Sequence, residues 1–359
     1  MNILFVSGHP AQVHNFRLVR EELIKRGHTV YWLTTPKDIC IQLLDIYGIP
    51  YEVLYKPNKH FLSKVWALIR NVCWELVFLK KKKIDIAVTR TCPYTSVAMY
   101  LLHRTHIIHD DTEHAARRTT RFSNLASAVV VPNCFKYEIR TDAVRYDGNT
   151  ELFYTHKNWF TPQPPYDILQ ISPETRYAVV RFVKWNAYHD KGLEEGFCLE
   201  NKIRMVEELS KYVRVFVSAE ANEVPKEIES YLIQIPLERM HDVLAYAELI
   251  IGESATMASE SVDLGTPAVY VDEIGRGYTD EEAEEGLLYM FRPNQQEEAI
   301  KKAVEVVSPS FDRALFTEKQ KEFISKKIDP TAFLTWFIEN YPESKKIMET
   351  NPEYQYHFR

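Results

Sequence analysis

Hydrophobic residues along the chain alternate between short continuous runs and longer amphipathic stretches, the pattern of buried parallel strands separated by helices. In the first half, apolar runs at 2–6, 28–33, 50–54, 84–88, 105–109 and 128–131 predict strands, with helices between them. The segment 13–26 stops at Gly27, as a helix does. A polar, aromatic stretch follows Asp147-Gly148, and the proline-dense FTPQPP at 160–165 predicts an interdomain connection. A second alternating series follows, with strands at 177–183, 213–218, 231–235 and 249–251 and helices at 199–211 and 237–247. Three amphipathic segments, 295–307, 311–325 and 330–341, finish the chain. The pattern predicts an α/β protein with one domain over 1–160, a second over 161–325 and a terminal segment over 326–359.

The most informative stretch is 249–272, LIIGESATMASESVDLGTPAVYVD. It reads strand, turn, helix, turn, strand: an apolar run stops at Gly252, a helix runs to Leu264, and Pro267 opens a second run. In an open parallel sheet such a turn lies at the carboxyl end of a strand, and the helix after it offers N–H groups and a positive dipole end to an anion. Ser254 and Thr256 add hydroxyl donors, and Glu260 lies one turn deeper on the face of Thr256, where it can accept from the hydroxyls of a ribose. Two observations weigh on the other side. Ser254 serves equally well as a helix cap with Glu260 a solvated charge, and Glu253 puts a negative charge beside the expected anion.

The Gly-Glu-Ser turn, Thr256-Met257-Ala258, Glu260 and Leu264-Gly265-Thr266-Pro267-Ala268 resemble the nucleotide-sugar half of GT-B glycosyltransferases and of the non-hydrolysing UDP-N-acetylglucosamine 2-epimerases. More closely, the chain resembles a prokaryotic group in that superfamily, domain-of-unknown-function family 354 (DUF354). His9-Pro10-Ala11, Val13-His14, Asp111 with Glu113-His114-Ala115, Arg181 and the Trp185…Ala187…His189-Asp190 segment extend the likeness over nearly the whole chain. The resemblance implies two Rossmann-like α/β/α domains with a central cleft, the last helix returning to the first domain. It implies binding of a nucleotide diphosphate sugar, UDP-type, by Arg181, His241, Ser254, Thr256, Met257 and Glu260. The implied reaction is glycosyl transfer in glycan or cell-surface polysaccharide synthesis, with no cofactor and no obligatory metal. A base from the first domain, His14 or the Asp111, Glu113 and His114 group, would activate an acceptor hydroxyl.

The resemblance to the epimerases fails in part. Their Gly-Asp-Thr turn after the fourth strand is Thr89-Arg90-Thr91 here, and their His-Arg turn opening the second domain is Arg181-Phe182. Both departures remove titratable groups, and Arg90 puts a permanent cation where a proton carrier would stand. Epimerase chemistry is therefore the second reading, and a catalytically silent nucleotide-sugar-binding protein is the third.

Candidate chemistry in the first half centres on histidines. His9 and His14 fall where the first strand gives way to its helix, and each serves either as a base or as a capping and packing residue. The densest cluster is HRTHIIHDDTEH at 103–114. It tempts a metal reading, but His106 and His109 lie three residues apart on one strand, face opposite sides and cannot share an ion. Asp111, Glu113 and His114 leave that strand together, as an acid and base group or as the cap and first turn of a helix. Beyond Arg181, the loop residues Lys184, His189 and Lys191 read as a diphosphate clamp or as solvated charges.

Composition adjusts this picture little. The chain has 359 residues, 45% hydrophobic and 26% charged, enough for two domains with cores of their own. A net charge of −6 argues against nucleic acid as the main partner. Cys40, Cys73, Cys92, Cys134 and Cys198 are scattered and odd in number, which suits a reducing cytoplasm. The first ten residues read as a buried strand and not as a signal peptide. The segment FLSKVWALIRNVCWELVFL at 61–79, followed by Lys80 to Lys83, is interrupted by Lys64, Arg70 and Glu75 and so does not predict a bilayer span. It reads as a helix packed on the sheet, or as one that leans on the inner face of a membrane through 61–83, which matters if the acceptor is lipid-linked rather than a free saccharide. The acidic run 280–285 reads as a solvated helix face.

Overall fold

Ile3, Leu4, Phe5 and Val6 are all buried, which a sheet with one wet face does not allow, so the first strand must be covered on both sides. The computed structural model describes residues 1–36, 38–55, 61–113, 121–182, 197–219, 225–273 and 275–359. They divide into two units, Met1–Trp159 with Lys327–Arg359, and Phe160–Lys326. Each is an α/β domain on a parallel sheet.

In the first unit, β1 (Asn2–Ser7), β2 (Thr29–Thr34), β3 (Glu52–Val53), β4 (Ile86–Thr89), β5 (Thr105–His109), β6 (Ala128–Pro132) and β7 (Val144–Tyr146) form a sheet in the order β3-β2-β1-β4-β5-β6-β7. Helix α1 (Pro10–Lys25) begins with His9 as cap and Pro10 in its first turn, and Gly27 follows its end at φ 87°. It covers one face, where Phe16 packs on Phe5 with ring centroids 5.1 Å apart, and α2 (Asp38–Ile46) lies against α1. The helix Pro330–Glu339 lies against α1. Its cap, Asp329, also accepts from the Trp159 indole at 2.8 Å, and Glu339 at its far end pairs with Arg26 at 2.7 Å. On the opposite face, α3 (Phe61–Lys81) and α4 (Pro93–Leu101) bury Val72, Phe78, Leu79, Ala98 and Met99 against Leu4, Val6, Leu33 and Ala87. These rows follow from the two-residue period of β1 and the near four-residue period of α3.

In the second unit, β8 (Tyr177–Phe182), β9 (Arg214–Ala219), β10 (Leu249–Gly252), β11 (Ala268–Val271) and β12 (Leu288–Phe291) form a sheet in the order β12-β11-β10-β8-β9. The helices Leu199–Ser210 and Gln296–Val307 bury Met205, Val206, Leu209, Ile300 and Val306 against Val180, Val215, Val217 and Ile251.

Three elements differ from the sequence pattern. The segment expected as a strand at 231–235 makes a single bridge, Val217 to Leu232, and continues as irregular backbone. β7 and β12 were not expected; β7 is three residues long, and β12 (LYMF) is apolar throughout but has only its first residue fully buried. The acidic run is not wholly solvated: Glu282 is fully buried in the helix Gly277–Glu284 and accepts from the Ser259 hydroxyl.

Burial of ionisable groups makes stability depend on pH. His106 and His109 are buried on opposite faces of β5, bonded to Thr89 at 2.9 Å and Tyr146 at 3.0 Å, and burial pushes both pKa values down to about 3. They fold neutral, and stability falls as pH drops below their ordinary value of 6.5. Glu75 on α3 is the opposite case: burial raises its pKa to about 8, so its carboxyl is favoured protonated and stability falls as pH rises from 4.5 through 8. Glu75→Gln removes that loss. Between pH 5 and pH 8 its unfolding free energy is expected to gain roughly 3 kcal/mol on the wild type, measured by denaturant titration at each pH. A gap independent of pH would show that Glu75 is ionised in the fold.

Candidate functional site

Each sheet has a place where the chain reverses direction across it. In the second unit β9 lies on one side of β8, and β10 and β11 lie on the other, so the crevice opens at the carboxyl ends of β8 and β10. Arg181 and Gly252 face each other there in register. A side chain at 252 would run into the Arg181 carbonyl, so only glycine lets the two strand ends approach this closely. Arg181 donates to the Ser218 hydroxyl on β9 at 2.8 Å, which fixes its guanidinium at the strand end.

The turn after Gly252 answers the objection raised by Glu253. Its carboxylate accepts from the Phe197 N–H at 2.8 Å and meets Lys202 at 3.4 Å, and both side chains of that pair are buried. Burial lowers the pKa of Lys202, and Glu253 beside it opposes that shift. The negative charge is thereby matched within the fold. Ser254 caps the helix Ala255–Asp263, accepting from the Met257 N–H at 3.3 Å. The N–H groups of Ala255 and Thr256 belong to the same first turn, where an α-helix supplies no acceptor of its own. Met257 is a core residue, packed with Val179, Phe216, Val243 and Ile250. Thr256 is half-buried at the helix start.

Glu260 is not a solvated charge. It is 5% exposed, and its Oε1 lies 3.1 Å from His241 Nε2. His241 comes from the short helix Met240–Ala245 and stands edge-on to Phe160, ring centroids 5.9 Å apart. The neighbouring Asp242 accepts from the Gln163 N–H at 2.8 Å and from Arg239. The second unit thus presents, along one helix start, an anchored arginine, a capped turn and a carboxylate within hydrogen-bond reach of a histidine.

In the first unit the reversal lies between β1 and β4. Asp111 is 5% exposed and pairs with Arg90, which also donates to Thr112 at 3.0 Å. Thr112 and Thr150 hydroxyls donate to the two Asp111 oxygens. Asp110 takes the turn itself in hand, accepting from the backbone of Asp111 and Thr112 and from the Thr91 hydroxyl at 2.8 Å. Glu113 accepts from the Lys136 N–H at 3.3 Å. His9 is exposed and caps α1, while His14 is half-buried, its Nδ1 3.4 Å from the Tyr47 hydroxyl and its ring 5.2 Å from that of Tyr154. The segment from Thr150 to Tyr154 therefore touches both Asp111 and His14. His114 lies outside the described residues, as do Lys184, Trp185, Ala187, His189, Asp190 and Lys191. Among the described residues no three His, Cys, Asp or Glu side chains are placed to share an ion.

Sequence reasoning missed Ser218, Lys202, Thr150 and Tyr154 and gave Arg90 no partner. Each acts through a contact distant in sequence, so no local spacing marks it.

No protein-family model matches the chain, and no curated protein matches it in sequence. Solved structures match nearly its whole length. The S. aureus MnaA–UDP co-structure is similar with a TM-score of 0.67 and 12% identity, covering 96% of this chain and 97% of that one. UDP-GlcNAc 2-epimerase from Neisseria meningitidis bound to UDP-GlcNAc gives 0.63 and 15%, covering 91% and 99%. MurG of Acinetobacter baumannii gives 0.61 and 16%, covering 94% and 99%. At such identities the likeness shows the fold alone, one shared with these three structures.

Proposed function

We propose that the chain is a GT-B-type glycosyltransferase that binds a nucleotide diphosphate sugar, UDP-type, through its second unit, and that it is a member of family 354 within that superfamily. The observation that carries the reading is the helix start after Gly252, with Arg181 anchored on one side and Glu260 held by His241 one turn deeper. A diphosphate seated there meets a guanidinium and the positive end of a helix, and the ribose hydroxyls donate to a carboxylate already in place. Two of the similar structures carry UDP or UDP-GlcNAc, which supports the choice of ligand.

As the glycosidic bond to the diphosphate breaks, negative charge grows on the leaving oxygen, and Arg181 with the helix start stabilises it. No resident metal is needed for that task, so chelation by EDTA is expected to leave turnover within about twofold of the untreated protein, an expectation that rests on the charge Arg181 already supplies. The acceptor hydroxyl, of a saccharide or a lipid-linked sugar, gives up its proton to His14, whose ring lies beside Tyr154 with Nδ1 3.4 Å from the Tyr47 hydroxyl. Asp111 instead orders the edge of the first sheet through Arg90 and the two threonines. The same ion pair disfavours epimerase chemistry, because the carboxylate is committed to a permanent cation. The five free cysteines suit a cytoplasmic setting.

The test is release of nucleoside diphosphate from nucleotide sugars in the presence of acceptors. His14→Ala is expected to lower turnover by about 100-fold or more while nucleotide affinity stays within about threefold. Full turnover in that variant would remove His14 as the base. Binding without release for every donor and acceptor pair would favour the non-catalytic reading.

A further inference from the structure

Helix α3 buries only half of its surface. Its inner side, Ala67, Asn71, Val72, Glu75, Phe78 and Leu79, packs on the sheet, yet the outer side is also apolar. Val77 is 67% exposed, Ile69 59% and Trp66 54%, with Val65 and Trp74 exposed beside them. At 100° per residue, Val65, Ile69, Trp66 and Val77 fall within one arc of about 120°. An apolar stripe of this length, about 20 Å from Val65 to Val77, is larger than the single exposed residues of an ordinary surface.

Charge on the same helix is one-sided. Glu75 is the one acidic residue between 61 and 83, and it is buried on the inner side. Arg70, Lys80, Lys81 and Lys83 are exposed, Arg70 beside the stripe and stacked toward Trp66 at 5.3 Å, the lysines at its end. A surface that offers exposed tryptophan and aliphatic side chains with a basic end, and no exposed carboxylate along the helix, complements a layer with an apolar interior and anionic headgroups. It does not complement itself. In a two-fold dimer of this face the basic residues of one copy would meet no acidic residue on the helix of the other. No helix among the described residues is long and apolar enough to cross a membrane, and the inner side of α3 is occupied by the sheet, so the contact is one of lying on a bilayer.

We infer that the outer face of α3 docks the protein on a bilayer surface bearing anionic phospholipid, with Trp66, Ile69 and Val77 entering the headgroup region and Lys80, Lys81 and Lys83 meeting the phosphates. This contact stands apart from the nucleotide-sugar reading and does not depend on it.

Co-sedimentation of the full chain with vesicles tests it. The protein is expected to partition onto phosphatidylcholine vesicles mixed with phosphatidylglycerol at least tenfold better than onto phosphatidylcholine alone, and to be released by high salt. Ile69→Ser and Val77→Ser each lower that partitioning about fivefold or more, and the double variant Lys80→Glu/Lys81→Glu abolishes it. All four positions are exposed, so the melting temperature of each variant stays near that of the wild type, which separates lost docking from lost folding. Equal partitioning with and without phosphatidylglycerol, or anionic partitioning that ignores the Ile69 and Val77 changes, would overturn the inference. So would a concentration-dependent dimer, seen by sedimentation velocity, that Ile69→Ser dissolves.

Discussion

Arg90→Ala is expected to destabilise the first unit by about 3–5 kcal/mol, the range found when one partner is removed from a buried ion pair. The Asp111 carboxylate is 6% exposed as a side chain and would keep only the Thr112 and Thr150 hydroxyls as partners. Two hydroxyl donors do not replace a cation beside a carboxylate this buried. Arg90→Lys keeps the charge but loses the planar fork, so an intermediate loss is expected, and Asp111→Asn in the Arg90→Ala background recovers part of the stability. Denaturant titration of the four proteins measures each term. If Arg90→Ala costs less than about 1 kcal/mol, the pair behaves as a surface contact and Asp111 is available to act as a base.

The second large effect is on ligand affinity. Arg181→Ala and Glu260→Ala are each expected to weaken a nucleoside diphosphate by about 10- to 100-fold, the value of one hydrogen-bonded contact to a charged group. They fail for different reasons. In the proposed site Arg181→Ala would remove the cation facing the diphosphate, so its penalty should shrink for a nucleoside without phosphates. Glu260→Ala would remove the proposed ribose acceptor, so its penalty should persist for that nucleoside. Glu260→Gln keeps the shape and one acceptor beside His241, and should sit between alanine and the wild type. Calorimetric titration with nucleoside, nucleoside monophosphate and nucleoside diphosphate separates the two contributions. An identical penalty for both variants across the three ligands would mean that the mutations act on the fold and not on the ligand.

How far the sequence carried this account depended on the reach of each interaction. The strands at 2–6, 128–131 and 249–251 were legible because both faces of a parallel sheet are buried and leave the apolar runs Ile3 to Val6, Ala128 to Val131 and Leu249 to Ile251. The cap at Ser254 was legible because it acts on a residue three places away, whereas the close approach that requires glycine at 252 is to the Arg181 carbonyl on another strand and left no local mark. The strand β7 was not legible, since three residues carry no period, and the run at 231–235 makes one bridge, at Leu232, without extending into a ladder. Within the site, sequence spacing placed Glu260 on the correct helix, but the contact with His241, nineteen residues away, decides whether it is solvated or oriented. The same holds for Glu253, which looked like a defect in an anion site until Lys202 was found beside it, and for Asp111, whose partners at 90 and 150 are joined to it only by the sheet. Local chemistry announced where a site would be; non-local pairing assigned the duties within it.

The central claim is that the helix start after Gly252 holds the diphosphate of a nucleotide sugar. Hydrogen–deuterium exchange of the wild-type protein, with and without a saturating nucleoside diphosphate, addresses it residue by residue. Slowed exchange at Ala255 and Thr256 is the predicted result, because those first-turn N–H groups have no acceptor within the helix and would face the ligand, whereas the Glu253 N–H already donates to the Arg181 carbonyl at 3.2 Å and should change less. Binding that leaves this turn unprotected and slows exchange elsewhere would contradict the claim and move the site.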